Sequence, residues 1–211
     1  MRVQGDHRSS HKVGAVLTAE KLHLRRGGHD VVADLDFIVS PGEAIVILGR
    51  NGAGKSSLLR ALAGLLRPAG GRVAWDGADI AADPAAHARR LRWVGHLDAA
   101  KPSLTVRENL EFLARLLGGS VQAALDALAL NAIAEQPARA LSSGQKRRLA
   151  LARLALSPVP LWLLDEPTVG LDTASVARLG PLLARHRAGG GMVLAATHLP
   201  LPLPDMREIT L

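Results

Sequence analysis

The sequence predicts an α/β fold built around a mainly parallel sheet. Three observations lead there. The run AIVILG (44–49) is short, apolar, rich in β-branched residues and closed by glycine, as expected of a strand buried on both faces. A glycine-rich stretch follows it at once and runs into a helical pattern. Similar apolar runs return as PLWLLDEP (160–167) and MVLAATH (192–198), with a helical stretch between them. Strands alternating with helices pack as a sheet covered on its faces, and the first glycine-rich loop then falls at a strand's C-terminal edge.

The elements follow in order. AVLTAEKLHLRR (15–26) alternates in part and reads as a strand. VVADLDFIVSPGE (31–43) reads as a strand entering a turn at Pro41-Gly42. In KSSLLRALAGLLRP (55–68), Leu58, Leu59, Leu62 and Leu65 fall at helical spacing, and Pro68 with Gly70-Gly71 ends the helix. GRVAWDG (71–77) is a strand entering an Asp-Gly turn. From 81 to 140 Ala, Leu and Arg dominate and β-branched residues thin out, so this stretch reads as helical, with ENLEFLARLLGG (108–119) and VQAALDALAL (121–130) as its clearest helices. A helix over about 173–187 is stopped by Gly189-Gly190-Gly191. The predicted organisation is a tail over 1–13, disordered, and one domain over 14–211. Within it 14–80 and 141–211 form a catalytic core, about 81–140 forms a helical subdomain, and no accessory domain follows.

Composition narrows the function classes. The chain has 211 residues and 48% hydrophobic residues, enough to bury a core, but only 2% aromatics, so Leu, Val, Ile and Ala must fill it. It has no cysteine, which excludes a disulfide scaffold, a thiol nucleophile and cysteine-ligated metal. The formal charge of +7 suits nucleic acid, an anionic membrane surface or an acidic partner, although Arg- and Ala-rich base composition produces the same excess. Few aromatics argue against a binder that stacks single-stranded bases. MRVQGDHRSSHKVGAV at the start lacks the apolar core of a secretory signal, and no apolar run reaches the roughly 18–20 residues that span a bilayer. If the protein acts at a membrane, another chain must hold it there.

Two motifs carry chemistry by themselves. GRNGAGKS (Gly49, Arg50, Asn51, Gly52, Ala53, Gly54, Lys55, Ser56) matches GxxxxGK[ST] between a buried strand and a helix, with Ser57 next in line. Glycines there let backbone N–H groups converge on phosphate oxygens, and the helix start adds partial positive charge. Lys55 is placed to reach the β- and γ-phosphates of a nucleotide, and Ser56 to ligate Mg²⁺. In LWLLDEP a buried strand delivers Asp165 and Glu166 at its end. Asp165 suits an indirect or water-mediated Mg²⁺ contact, and Glu166 beside it suits a general base for an attacking water, which points to hydrolysis.

A third stretch, LSSGQKRRLALARLAL (141–156), is by itself a capped helix with Leu149, Leu151, Leu154 and Leu156 as its buried stripe. Read after the other two, it resembles the LSGGQ signature of ATP-binding-cassette (ABC) ATPases, with Ser143 in place of the first glycine. The resemblance runs from about 16 to 200 and includes Gly170-Leu171-Asp172 as a D-loop and His198 as a switch histidine. It implies a P-loop NTPase with a central mainly parallel sheet, an N-terminal antiparallel β portion and an inserted helical subdomain. It also implies ATP and Mg²⁺, with Glu166, His198 and Lys55 catalytic and Ser56 and Asp165 on the metal. A second copy would pair head to tail, so that Ser142, Gly144 and Gln145 of one chain close on the γ-phosphate held by the other. Two positions depart from the family. Where an aromatic stacks on adenine, this chain offers Arg25 or Arg26, and a guanidinium plane can stack on a base. Where the Q-loop glutamine is expected, WVGHLDAAKPSLTVRENL (93–110) offers His96, which either substitutes near the metal and water or packs at the subdomain hinge.

The short chain, the GH of Gly95-His96, LSSGQKRRLALARL and the ending GGGMVLAATHLPLPLP narrow the resemblance to the ATP-binding subunits of cytochrome c maturation haem exporters, the CcmA family. That resemblance implies a peripheral place on the cytoplasmic face of a bacterial inner membrane and integral partners CcmB and CcmC. It implies release of the haem-loaded chaperone CcmE as the work done, and no nucleic-acid partner. Service to another ABC transporter stays open, since the motifs would be the same. A DNA-associated ABC-type ATPase would need a long coiled-coil insertion before the signature, and 66–140 is too short and lacks sustained heptads.

Overall fold

The computed structural model describes residues 15–96 and 99–211, and the expected tail over 1–13 lies outside them. The chain opens with β1 (Leu17–Arg26) and β2 (His29–Val39), joined through Gly27 and Gly28, both at positive φ. β3 (Ala44–Leu48) leads through the glycine-rich loop into α1 (Lys55–Leu62). β4 (Gly70–Trp75) and β5 (Ala78–Asp79) return beside β1 in a four-stranded antiparallel sheet of order β2-β1-β4-β5. Next come α2 (Pro84–Arg89), β6 (Leu91–Val94), α3 (Val106–Leu117), α4 (Val121–Ala127) and α5 (Ser143–Ala152). β7 (Leu161–Asp165), α6 (Thr173–Ala188), β8 (Met192–Ala196) and β9 (Arg207–Thr210) complete the chain. The second sheet runs β6-β7-β8-β3-β9, parallel throughout.

Side-chain alternation along the parallel strands divides the interior in two. Ile45, Ile47, Leu161, Leu163, Met192, Leu194 and Ala196 point to a core shared with α1 and the antiparallel sheet. Ala44, Val46, Trp162, Leu164, Val193 and Ala195 point to a second core shared with α3, α4, α5 and α6. A strand with both faces covered shows a continuous apolar run, which is why β3, β7 and β8 stand out in the sequence. Burying each such leucine or isoleucine contributes roughly 1.5–3 kcal/mol.

Three elements differ from the sequence expectation. The stretch 81–140 holds β6, which pairs with β7 in the parallel sheet; its pattern was masked by Arg92 and Trp93. Arg92 is nonetheless buried, donating to the carbonyl of Leu91 and to Ser157 Oγ. α1 ends at Leu62 rather than near Pro68, because Gly64 at φ 72° turns the chain first. β9, Arg-Glu-Ile-Thr, is an edge strand with mostly exposed side chains and so carries no apolar signal. Among the described residues no helix is long and apolar enough to cross a membrane.

Candidate functional site

The C-terminal ends of β3, β7 and β8 open onto one cavity of about 320 Å³. Asn51, Gly52, Gly54, Lys55, Ser56 and Ser57 line it from the loop and α1, Asp165 and Glu166 from the end of β7, and His198 from beyond β8. Arg26 and His96 complete the wall with Val169. A larger cavity, about 1030 Å³, lies where β7 and β8 begin, beside Pro160 and Met192, and none of the candidate catalytic, nucleotide or metal residues lines it.

The loop is shaped by its glycines. Gly54 sits at φ 101°, and a Cβ there would lie 2.8 Å from the Val31 carbonyl oxygen. α1 starts at this glycine with no side-chain cap, whereas Asp83, Thr105, Ser120, Ser142 and Asp172 cap α2 to α6. The first N–H groups of α1 therefore have no side-chain acceptor, which suits an anion. Lys55 is buried, and its Nζ donates to the carbonyls of Gly49 at 2.6 Å and Arg50 at 3.1 Å. The ammonium is thereby held inside the ring of loop amides. Gly49, Arg50 and Ala53 belong to the loop but do not line the cavity with the others.

Two polar pairs join the elements. Ser56 Oγ donates to Asp165 Oδ1 at 3.1 Å, so two hard oxygen donors from α1 and β7 converge. His198 Nδ1 lies 3.0 Å from Glu166 Oε1, while Glu166 Oε2 is buried and has no hydrogen-bond partner. A carboxylate acting only as acceptor takes its bond from Nδ1–H, which leaves Nε2 as a donor only in the imidazolium form. A carboxylate oxygen unclaimed by protein groups suits a proton acceptor for a small polar reactant.

Arg25 and Arg26 take different roles. Arg25 donates to the Gly28 carbonyl and pairs with Asp30 at 3.0 Å, whereas Arg26 lines the cavity. The start of α5 stays apart: Ser142, Gly144 and Gln145 do not line the cavity. Ser142 and Gln145 instead close a capping box, Ser142 Oγ accepting from Gln145 N–H and Gln145 Oε1 from Ser142 N–H. Gly144 packs on the D-loop, where a Cβ would lie 2.9 Å from the Gly170 carbonyl oxygen. One residue beside the site escaped the sequence analysis. Arg147 is buried and touches the backbone on either side of Glu166. Its signal was spacing, since Arg147, Leu151 and Leu154 recur at i, i+4 and i+7 and continue the buried stripe.

Comparison with known proteins agrees with this geometry. The family described as "ABC transporter" matches residues 32–169. The chain is 53% identical to the "Cytochrome c biogenesis ATP-binding export protein CcmA" of Rhodospirillum rubrum, over 93% of this chain and 86% of that protein. It is 51% identical to the protein of the same name in Paramagnetospirillum magneticum, over 93% of this chain and 94% of that one. A solved structure described as "Structure of ATP binding subunit of ABC transporter" superposes with a TM-score of 0.79 at 26% identity, covering 87% of this chain and 80% of the other. The antiparallel and parallel sheets, the phosphate loop and these relatives together show that the chain belongs to the ABC transporter family, within its CcmA group of ATP-binding proteins.

Proposed function

We propose that this chain is the ATP-hydrolysing subunit of a haem export complex of cytochrome c biogenesis, powering release of the haem-loaded chaperone CcmE. The observation that carries hydrolysis is the Glu166 carboxylate, on a side chain that lines the cavity, one oxygen fixed on His198 and the other buried without a hydrogen-bond partner. In this reading the phosphates of ATP lie along Gly49–Ser57, with Lys55 on the β- and γ-oxygens and Arg26 against the adenine. Glu166 accepts a proton from the attacking water, and His198, in its imidazolium form, donates from Nε2 to the γ-phosphate or to the charge that develops on it. His96 stands at the cavity wall in the place of the Q-loop glutamine. Ser56 Oγ and Asp165 Oδ1 are an oxygen donor set that fits Mg²⁺. When bound, that ion neutralises charge on the β- and γ-oxygens.

A single chain leaves the site open on one side, because Ser142, Gly144 and Gln145 stand away from the cavity. A second copy arranged head to tail supplies them to the partner's γ-phosphate. The Ser142 hydroxyl, which accepts within its own capping box, still has its proton to donate. We read the catalytic core as 14–80 with 141–211, joined by β6 from the stretch 81–140, and the helical remainder of that stretch as the subdomain that carries motion to integral subunits CcmB and CcmC. On α3, Phe112 and Leu116 are exposed four residues apart, an apolar face of the kind such a partner covers. The place of work is then the cytoplasmic face of the inner membrane.

The test is a haem-stained gel of c-type cytochromes from cells carrying only Glu166→Gln, with ATP binding and hydrolysis measured on the same variant. The expected result is retained ATP binding, lost hydrolysis, absent covalent cytochromes and accumulated haem-loaded CcmE. Wild-type cytochromes despite abolished hydrolysis would leave an ABC ATPase and refute the pathway.

A further inference from the structure

Glu166 has an unusual backbone. Its φ is +49°, in the left-handed region, although it carries a full side chain and precedes Pro167. A Cβ is crowded there by the neighbouring carbonyl, and a following proline disfavours helical values further. Such a conformation persists only where the surroundings hold it.

Three groups hold it. The Glu166 N–H donates to the Ala196 carbonyl at 2.8 Å, tying it to the end of β8, and the Glu166 carbonyl accepts from the Val169 N–H at 3.3 Å. The third is Arg147 on α5, only 4% exposed. Its Nη2 donates to the carbonyls of Asp165 and Glu166, both at 2.8 Å, and its Nε to that of Pro167 at 3.4 Å. Its Nη1 donates to the Gly95 carbonyl at 2.7 Å, next to His96. One planar fork thus spans the end of β7, the end of β6 and the first turns of the helix that starts at Ser142. With the carbonyls on both sides of the Glu166 Cα fixed, the direction of its Cα–Cβ bond is fixed too. That direction places Oε1 on His198 and leaves Oε2 buried without a hydrogen-bond partner, on a side chain that lines the cavity.

The geometry points to Arg147 as a positioning residue for Glu166, holding its strained backbone and so linking the place of α5 to the aim of the carboxylate. This rests on the reading of Glu166 as the hydrolytic base. It requires the fork geometry: a lysine ammonium is a point donor and cannot reach carbonyls on two strand ends at once.

The experiment compares wild type, Arg147→Lys, Arg147→Gln, Glu166→Gln and the double variants, as full-length chain co-purified with its membrane subunits. For Arg147→Lys we expect kcat to fall about 10- to 100-fold, the size of effect a misplaced catalytic group produces, while KM and ATP affinity stay within about threefold. In the Glu166→Gln background the same change should lower the residual rate no further, since the base it positions is already gone. On the chain alone, the His198 Nδ1 resonance in ¹⁵N NMR should move in Arg147→Lys toward its position in Glu166→Ala. Should the lysine variant not fold, Arg147→Gln, a neutral side chain, is read by the same three measures. If Glu166→Gln abolishes hydrolysis but both Arg147 variants keep wild-type kcat, Arg147 does not position the base, and the base assignment stands. Equal loss in both Glu166 backgrounds, or loss of ATP affinity in step with kcat, makes Arg147 a packing residue and overturns the proposal. If Glu166→Gln keeps wild-type hydrolysis, both readings fall.

Discussion

Acid should loosen this fold through one half-buried histidine. His186, on α6, stacks on Trp162 with ring centroids 3.7 Å apart and 2° between planes. Its Nε2 lies 3.1 Å from the Met192 carbonyl, which can only accept, so Nε2 carries the proton and acid must protonate Nδ1. Burial holds its pKa down at about 4, from an ordinary value of 6.5. The unfolded chain therefore binds a proton between those values that the folded chain refuses, and stability rises with pH across that window. Below both values the whole difference, about 2.5 units at 1.36 kcal/mol each, is lost, or roughly 3 kcal/mol. Going from about pH 7.5 to about pH 5 removes about 2 kcal/mol of it. His87, also pushed down by burial and hydrogen-bonded through Nε2 to the Leu62 carbonyl, adds in the same direction. Urea unfolding followed by far-ultraviolet circular dichroism at the two pH values measures the sum. His186→Phe isolates one part: it keeps a flat ring on Trp162, forfeits about 1 kcal/mol of hydrogen bonding at both pH values, and shrinks the pH difference by about 2 kcal/mol. A variant with the wild-type pH difference would show that His186 is not the group refusing the proton.

Two substitutions separate folding from catalysis at the two helix starts. Gly54→Ala puts a methyl group 2.8 Å from the Val31 carbonyl oxygen at φ 101°, so it should cost roughly 1–3 kcal/mol and abolish binding of a fluorescent ATP analogue. Ser142→Ala removes the hydroxyl that caps α5 at Gln145 N–H, which should cost about 1 kcal/mol in thermal unfolding. Its ATPase loss should be larger, at least about tenfold, because in the proposed head-to-tail pair the same hydroxyl donates to the partner's phosphate. Wild-type ATPase in a Ser142→Ala protein with the expected small loss of stability would remove Ser142 from the site.

The legible parts of this protein share a cause. β3, β7 and β8 are buried on both faces, so their alternating side chains are all apolar and the strands announce themselves. The phosphate loop and the Asp165-Glu166 pair sit at the ends of two of those strands, and the contrast of glycine or carboxylate after an apolar run is what made them visible. β9 stayed hidden because an edge strand at the surface has no such contrast. β6 stayed hidden because its Arg92 is buried through hydrogen bonds to Ser157 and Leu91 that no periodicity encodes. Arg147 does fall on the buried stripe of α5, but the cations beside it hide that place. In the run Lys146-Arg147-Arg148 three cations look alike, yet Arg147 turns inward to the ends of β6 and β7 while Arg148 reaches the carbonyls of Leu128 and Ala129.

That difference between apolar and polar contacts bears on how the molecule can move. α5 rests on β7 partly through the apolar cluster that includes Leu149, Leu151, Trp162 and Leu164. Apolar contact is non-directional, so one surface can slide on the other by a fraction of a side chain at little cost. The hydrogen bonds of Arg147 to Asp165 and Glu166 are short and charge-assisted, and they weaken steeply when misaligned. A shift of α5 must therefore either carry the end of β7 with it or break this fork. β7 is held on both sides by β6 and β8, so carrying it along would disturb the parallel sheet. The smallest motion that keeps the fork intact is a pivot of α5 about Arg147 itself. Such a pivot moves the Ser142 end of the helix, about 1.5 Å of rise per residue away, while Glu166 stays aimed at the cavity.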